Sequence, residues 1–194
     1  MRTRLPFITT LILLVLAACS SGTPTAPTPT ALALTQSINS ANGTVTLSYP
    51  AGWAASAESV VIKVGNTADV LNAPAPAAGQ FQMRVATGPV DALPDVSADA
   101  KPRDILTHFT KGIASSALTL SAVGDVTIGS HSAARVDVTA KDGQGAIIAL
   151  NLGDGIYALI SANSAPNELA KFEPSMNAII DSIRYTAPEA TPGT

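Results

Sequence analysis

The sequence predicts an α+β domain, an antiparallel sheet of about six strands with helices on both faces. Three observations carry that expectation. Short runs of apolar–polar alternation recur from Thr44 to Val138, bounded by Gly, Pro, Asn or Asp. Two longer stretches, Arg103 to Ala117 and Pro166 to Ile183, repeat their apolar residues at helical spacing instead. Ala146-Ile147-Ile148-Ala149-Leu150 and Ile156-Tyr157-Ala158-Leu159-Ile160 are strands apolar on both faces, which suits a sheet centre covered from both sides.

Thr44 to Tyr49 alternates strictly and is closed by Pro50-Ala51-Gly52-Trp53. Ser59 to Val64 reads as a second strand with Val60, Ile62 and Val64 on one face. Gly65 to Gly79, rich in Asn, Ala and Pro, is loop. Gln80 to Thr87 turns Phe81, Met83 and Val85 inward, and Gly88 to Pro102 is loop again. The first helix carries Ile105, Leu106, Phe109 and Ile113 on one stripe. Asp104 sits in its first turn, where negative charge suits the helix dipole. Leu118 to Ile128 holds an irregular fourth strand, and Gly129 to Ser132 a turn. Ala134, Val136 and Val138 mark a fifth strand, with Arg135, Asp137 and Thr139 on its wet face. Asp142-Gly143 and Gly153-Asp154-Gly155 are hairpin turns. In the second helix Leu169, Phe172, Met176, Ile179, Ile180 and Ile183 form the buried stripe. Pro174 inside it predicts a kink or a restart, because proline lacks the N–H donor and crowds the preceding turn.

Ahead of this domain, Arg2 and Arg4 precede an apolar run from Phe7 to Leu16, too short to span a bilayer. Ala17 and Ala18 then lead to Cys19, the only cysteine. This is the anatomy of a secretory signal, and a lone cysteine in an exported chain has no disulfide partner. Leu16-Ala17-Ala18-Cys19 resembles the lipobox of bacterial lipoproteins at all four positions. The resemblance implies a signal peptide at 1–18, a diacylglyceryl group on the Cys19 sulfur, and Cys19 as the mature N-terminus. It also implies anchorage in a bacterial cell membrane on the extracytoplasmic face, where two or three acyl chains hold far more firmly than one. Residues 19–31 alternate Pro with Thr and Ala and form a tether. Extended chain of this kind spans ~3.1 Å per residue and lifts the domain about 30–40 Å from the membrane. Residues 32–185 are expected to form the globular domain, and 186–194, of the same character as the tether, a disordered tail.

Loss of Arg2 and Arg4 with the signal leaves nine of the 11 basic residues against 14 acidic ones, a net charge of −5. That balance argues against nucleic acid, which needs clustered Lys and Arg. It argues equally against a polybasic grip on anionic lipid.

Within the domain, Tyr49-Pro50-Ala51-Gly52-Trp53, the Gly-x-x-x-Ala turn from Gly129 to Ala133, and the helix exit Asp181-Ser182-Ile183-Arg184-Tyr185 coincide. These segments resemble the PsbP-like superfamily over about 42–185. The resemblance implies an α/β/α sandwich and an accessory or binding role at a membrane. It supplies no cofactor-binding residue, because no matching motif is present.

The chemistry-bearing residues form no catalytic constellation, and no cofactor is expected. His108 lies at the border of the first helical stripe. His131 stands between Ser130 and Ser132, but a nucleophile pair needs spatial reach and an orienting acid. Asp91, Asp95, Asp99 and Asp104 lack the tight alternation of a calcium loop. Zinc spacing is missing as well. Trp53, the only tryptophan, is a partner contact if exposed and a plug at one end of the core if buried. The expected function is therefore a lipid-anchored, non-catalytic domain that engages a protein partner at the membrane surface. The alternatives are a solute-binding lipoprotein, which needs two lobes around a cleft, and a hydrolase using His131 with a distant acid.

Overall fold

The computed structural model describes residues 28–113 and 117–188. The segments expected to be the signal peptide (1–18), the lipidated Cys19 and most of the tether lie outside the described residues, as do 189–194 of the expected tail. In chain order the elements are β1 (Leu34–Asn39), β2 (Val45–Pro50), β3 (Ala54–Glu58), β4 (Val61–Gly65), β5 (Phe81–Pro89), α1 (Pro102–Thr110), β6 (Leu118–Leu120), β7 (Gly124–Ile128), β8 (His131–Ala140), β9 (Gly143–Gly153), β10 (Ile156–Ser164), α2 (Leu169–Asp181) and β11 (Arg184–Tyr185).

One antiparallel sheet has eight strands in the order β3-β4-β5-β10-β9-β8-β6, with β7 also on β8. A second sheet has three, β1-β2-β11. The two strands apolar on both faces, β9 and β10, lie in the middle of the large sheet. Successive strand residues point to opposite faces, and here they feed two separate cores. Ala146, Ile148, Leu150, Ala158, Ile160 and Ala162 pack with Met176, Ile179 and Ile180 of α2 and with Val45 and Leu47 of β2. Ala134, Val136 and Ala149 pack with Ile105 and Leu106 of α1.

The sheet is thus wider than six strands, for identifiable reasons. Ser59 to Val64 is not one strand: Ser59, at φ 46°, and exposed Val60 make the turn of a β3–β4 hairpin. Ala54-Ala55-Ser56-Ala57-Glu58 has no large apolar residue to betray its alternation. Leu118 to Ile128 breaks into β6 and β7 on the same edge of β8. Leu120 faces Val138 while Gly124 faces Arg135, so the edge carries one residue more than β8 in between, as a bulge does. Helix α1 stops at Thr110 before Gly112, and Ile113 falls outside it. Helix α2 starts at Leu169 and continues through Pro174 as one element rather than restarting.

Arg135 does not face water. It lies on the α2 side of β8 and bonds Glu173 of α2 and Asp137 of its own strand. Burial alone would disfavour its charge, but these two carboxylates more than offset that and raise its pKa.

Candidate functional site

Helix α1 covers only part of its side of the large sheet. It packs on β8 and β9, and its Phe109 ring lies 5.7 Å from Tyr157 of β10. Strands β3, β4 and β5 on the same side carry polar residues in register. Ser56, Lys63, Arg84 and Ser161 form one row across β3, β4, β5 and β10. Gly65, Gln82, Asn163 and Gly145 form the next row. Their far bank is the loop after β4, tied down by Gln82 Nε2 donating to the Ala73 carbonyl at 3.4 Å.

The charges in this trough are unequally satisfied. Lys63 is buried, and its Nζ donates to Glu58 Oε1 at 2.8 Å and Asn72 Oδ1 at 3.3 Å. The hydrogen bond and charge of Lys63 hold the Glu58 carboxyl below its usual range, and Arg84 adds a smaller electrostatic contribution. Arg84 is exposed and makes no hydrogen bond or ion pair among the described residues. Beside the second row opens a groove of about 320 Å³, lined by Pro74, Pro76, Leu118, Val138, Gly145 and Asn163 among others. Its walls are mainly apolar, and the half-buried Asn163 amide in its floor makes no side-chain hydrogen bond. The site is suited to binding. It offers an apolar slot, an unengaged donor–acceptor amide and an unpaired guanidinium.

Other residues singled out in the sequence lie elsewhere. Trp53 is half-buried, with its ring 5.6 Å from that of Phe81. His108 packs edge-on against Phe109 at 5.6 Å. His131 has its Nε2 buried and without a hydrogen-bond partner among the described residues. Asp95, Asp99 and Asp104 border a second groove of about 700 Å³, interleaved with Lys101, Arg103 and Lys111. Asp99 accepts from Ser97, Asp104 caps α1 by accepting from the Lys101 N–H at 3.1 Å, and Arg103 clamps Asp125. Among the described residues no three His, Cys, Asp or Glu side chains converge to hold a metal.

The helix exit meets the Gly129 turn and Ser48, the residue just before the Tyr49 motif, and these contacts are structural. Ser182 Oγ accepts from the Ser48 N–H at 2.9 Å, next to Tyr49-Pro50. Asp181 Oδ1 accepts from the Ser130 N–H at 2.8 Å and hydroxyl at 3.1 Å, closing the Gly129 turn on the end of α2. Gly129 has φ 56°, and a Cβ there would fall inside the Asp181 carboxylate. Gly129→Ala is expected to cost about 1–2 kcal/mol for the left-handed backbone alone. Displacement of Asp181 adds to that cost, and urea unfolding measures the total.

The clasp also has a pH signature. The Ser130 N–H and hydroxyl, helped by the charges of His131 and Arg184, hold the Asp181 carboxyl below its ordinary 3.8. The unfolded chain therefore takes up the proton first. The stabilisation is complete above 3.8 and is lost as pH falls through the lowered folded value. Wild type should melt above Asp181→Asn at neutral pH, and the gap should close on strong acidification. A gap independent of pH would mean that the carboxylate charge contributes nothing.

No family model matches the sequence, and no curated protein matches it. Among solved structures, the chain is similar in fold to the Ran-binding protein Mog1p of Saccharomyces cerevisiae. Identity is 11%, coverage is 79% of this chain and 96% of that one, and the TM-score is 0.51. It is similar in fold to LpqN of Mycobacterium tuberculosis, a protein involved in cell envelope biogenesis, at 13% identity, 78% and 90% coverage and TM-score 0.50. A cyanobacterial PsbP from Synechocystis sp. PCC 6803 superposes more loosely, at 10% identity, 88% and 99% coverage and TM-score 0.48.

Proposed function

We propose that this chain is a lipid-anchored, extracytoplasmic accessory domain that binds a protein partner at the surface of a bacterial membrane and performs no chemistry on it. The observation that carries the reading is the open part of the large sheet, where an apolar groove, a free amide and an unpaired arginine share one face. Architecture supports it. The large sheet is continuous rather than split into two lobes around a cleft, which disfavours a transporter's solute-binding protein. The fold is shared with a protein that binds Ran and with one involved in cell envelope biogenesis, so it is compatible with both a binding role and an envelope location. Leu16-Ala17-Ala18-Cys19 supplies the anchor and residues 19–31 the tether.

The test is mild cross-linking of the full chain in its native membranes, with Cys19→Ala as the unanchored control. One protein should cross-link to the wild type and be lost with Cys19→Ala. The lipid itself is checked by the mass of the mature N-terminal peptide. A second reading rests on the groove volume, which lies at the low end of the range for small-molecule sites. If no protein cross-links and native mass spectrometry finds a retained small molecule, the groove is a ligand pocket and the partner reading fails.

A further inference from the structure

The partner reading leaves open what kind of surface the face accepts, and the charge of the trough answers that. We propose that the face takes an extended acidic segment of the protein partner, with a carboxylate on Arg84 and a neighbouring apolar side chain in the groove. The inference rests on the partner reading and deepens it.

Charge complementarity is the first ground. The chain as a whole is acidic, with a net charge of −3, and three of the four guanidinium groups among the described residues are occupied. Arg103 is paired with Asp125, Arg135 with Asp137 and Glu173, and Arg184 bonds backbone carbonyls. Arg84 is different. It sits in mid-strand, directly across from Lys63, and like charges in directly opposite positions oppose pairing. Glu58 neutralises Lys63 at 2.8 Å and leaves Arg84 as the unpaired cation of the row. A guanidinium fork matches a carboxylate with two parallel hydrogen bonds. The hydroxyl of Ser161, in register with Arg84 on β10, stands beside it.

Placement is the second ground. Asn163 follows Ser161 on the same face of β10, about 7 Å along the strand. The groove therefore begins one side-chain position from the arginine. Its far rim holds Lys141, next to Asp142 in the β8–β9 turn. From Arg84 to that rim is about 20–22 Å, the span of six or seven residues of extended chain. Between the two, Gly143 and Gly145 keep the floor low, and Asn163 offers a donor and an acceptor that match the main chain of a peptide. Pro74, Pro76, Leu118 and Val138 enclose room for one apolar side chain.

The test uses a random heptapeptide phage library panned on the purified full chain, on Arg84→Glu and on Arg84→Gln. Arg84 is exposed and faces Lys63, so neither variant should lower the thermal midpoint, and that is measured first. The wild type should enrich Asp and Glu beside an apolar residue, and Arg84→Glu should lose that enrichment. The best synthetic peptide should bind Arg84→Gln about tenfold more weakly, the loss expected for one charge-assisted contact, and should weaken with added salt. Asn163→Ala should weaken the same peptide. The inference is overturned if selection shows no acidic bias, if Arg84→Glu selects the same peptides, or if inorganic phosphate at the peptide's own concentration displaces it. A partner that still cross-links in membranes while Arg84 proves irrelevant overturns the acidic-segment inference alone. An intact acidic selection with no cross-linked partner overturns the partner reading instead.

Discussion

Phe81→Ala is expected to lower stability by about 3–5 kcal/mol, and the melting temperature by about 6–20 °C. Phe81 is fully buried. Its ring stacks on Phe172 of α2 at 5.1 Å and meets Trp53 at 5.6 Å. It therefore joins the large sheet, the second helix and the corner that leaves β2. Removing it opens a cavity where three elements meet, and none can close it without abandoning its own strand or helix contacts. Trp53 is the only tryptophan, so its fluorescence reports this corner directly during urea unfolding. A loss under about 1 kcal/mol would mean that the site collapses freely and that the aromatic cluster is loosely packed.

Gly145→Ala should cost about 3 kcal/mol, the upper end of what overpacking typically exacts. Gly145 is buried in β9 opposite Asn163 of β10. A Cβ there would overlap the Ala162 carbonyl oxygen and lie 2.7 Å from Asn163 Oδ1. The carbonyl is main chain in the pairing of the two central strands and has no rotamer to escape into. Relief requires the strands to separate or the Asn163 amide to move out of the groove floor. Thermal unfolding measures the first effect. The heptapeptide affinity measured on the folded fraction reads the second. An alanine that left both unchanged would show that β9 and β10 are less closely apposed than described.

These two residues also show what was legible in the sequence. Phe81 is placed by alternation alone, since Phe81, Met83 and Val85 share a period of two. The central position of β9 and β10 is readable for the same reason, because residues apolar on both faces have to be covered on both. Strand β3 was not readable: its alanines bury too little to mark a face, and its turn uses Ser59 at positive φ where Asn or Gly is the usual signal. Arg135 shows a limit of period reasoning. Alternation sets its side of the strand correctly but cannot tell that α2 lies over that side with Glu173 waiting. The candidate site was hidden by the same ambiguity. Arg84, Ser161 and Asn163 occupy ordinary polar positions of alternating strands, and only the register, set by pairings far apart in the chain, makes them neighbours. Gly145 did carry a signal, because an isolated glycine within a strand often marks a close approach.

The clasp of Ser182 on Ser48 joins positions 134 residues apart, and β11 pairs with β2 immediately beside it. The small sheet therefore gains its third strand only after nearly the whole chain has been synthesised. Contacts so distant in sequence are slow to form, since the closure entropy of the intervening loop comes before any return. Ribosome-bound or translocating chains that end short of Arg184 should leave Val45 and Leu47 without their final cover and remain open to protease. In the lipid-anchored reading such lateness is useful, because a chain that must thread a membrane channel unfolded is held back from folding by its own last residues.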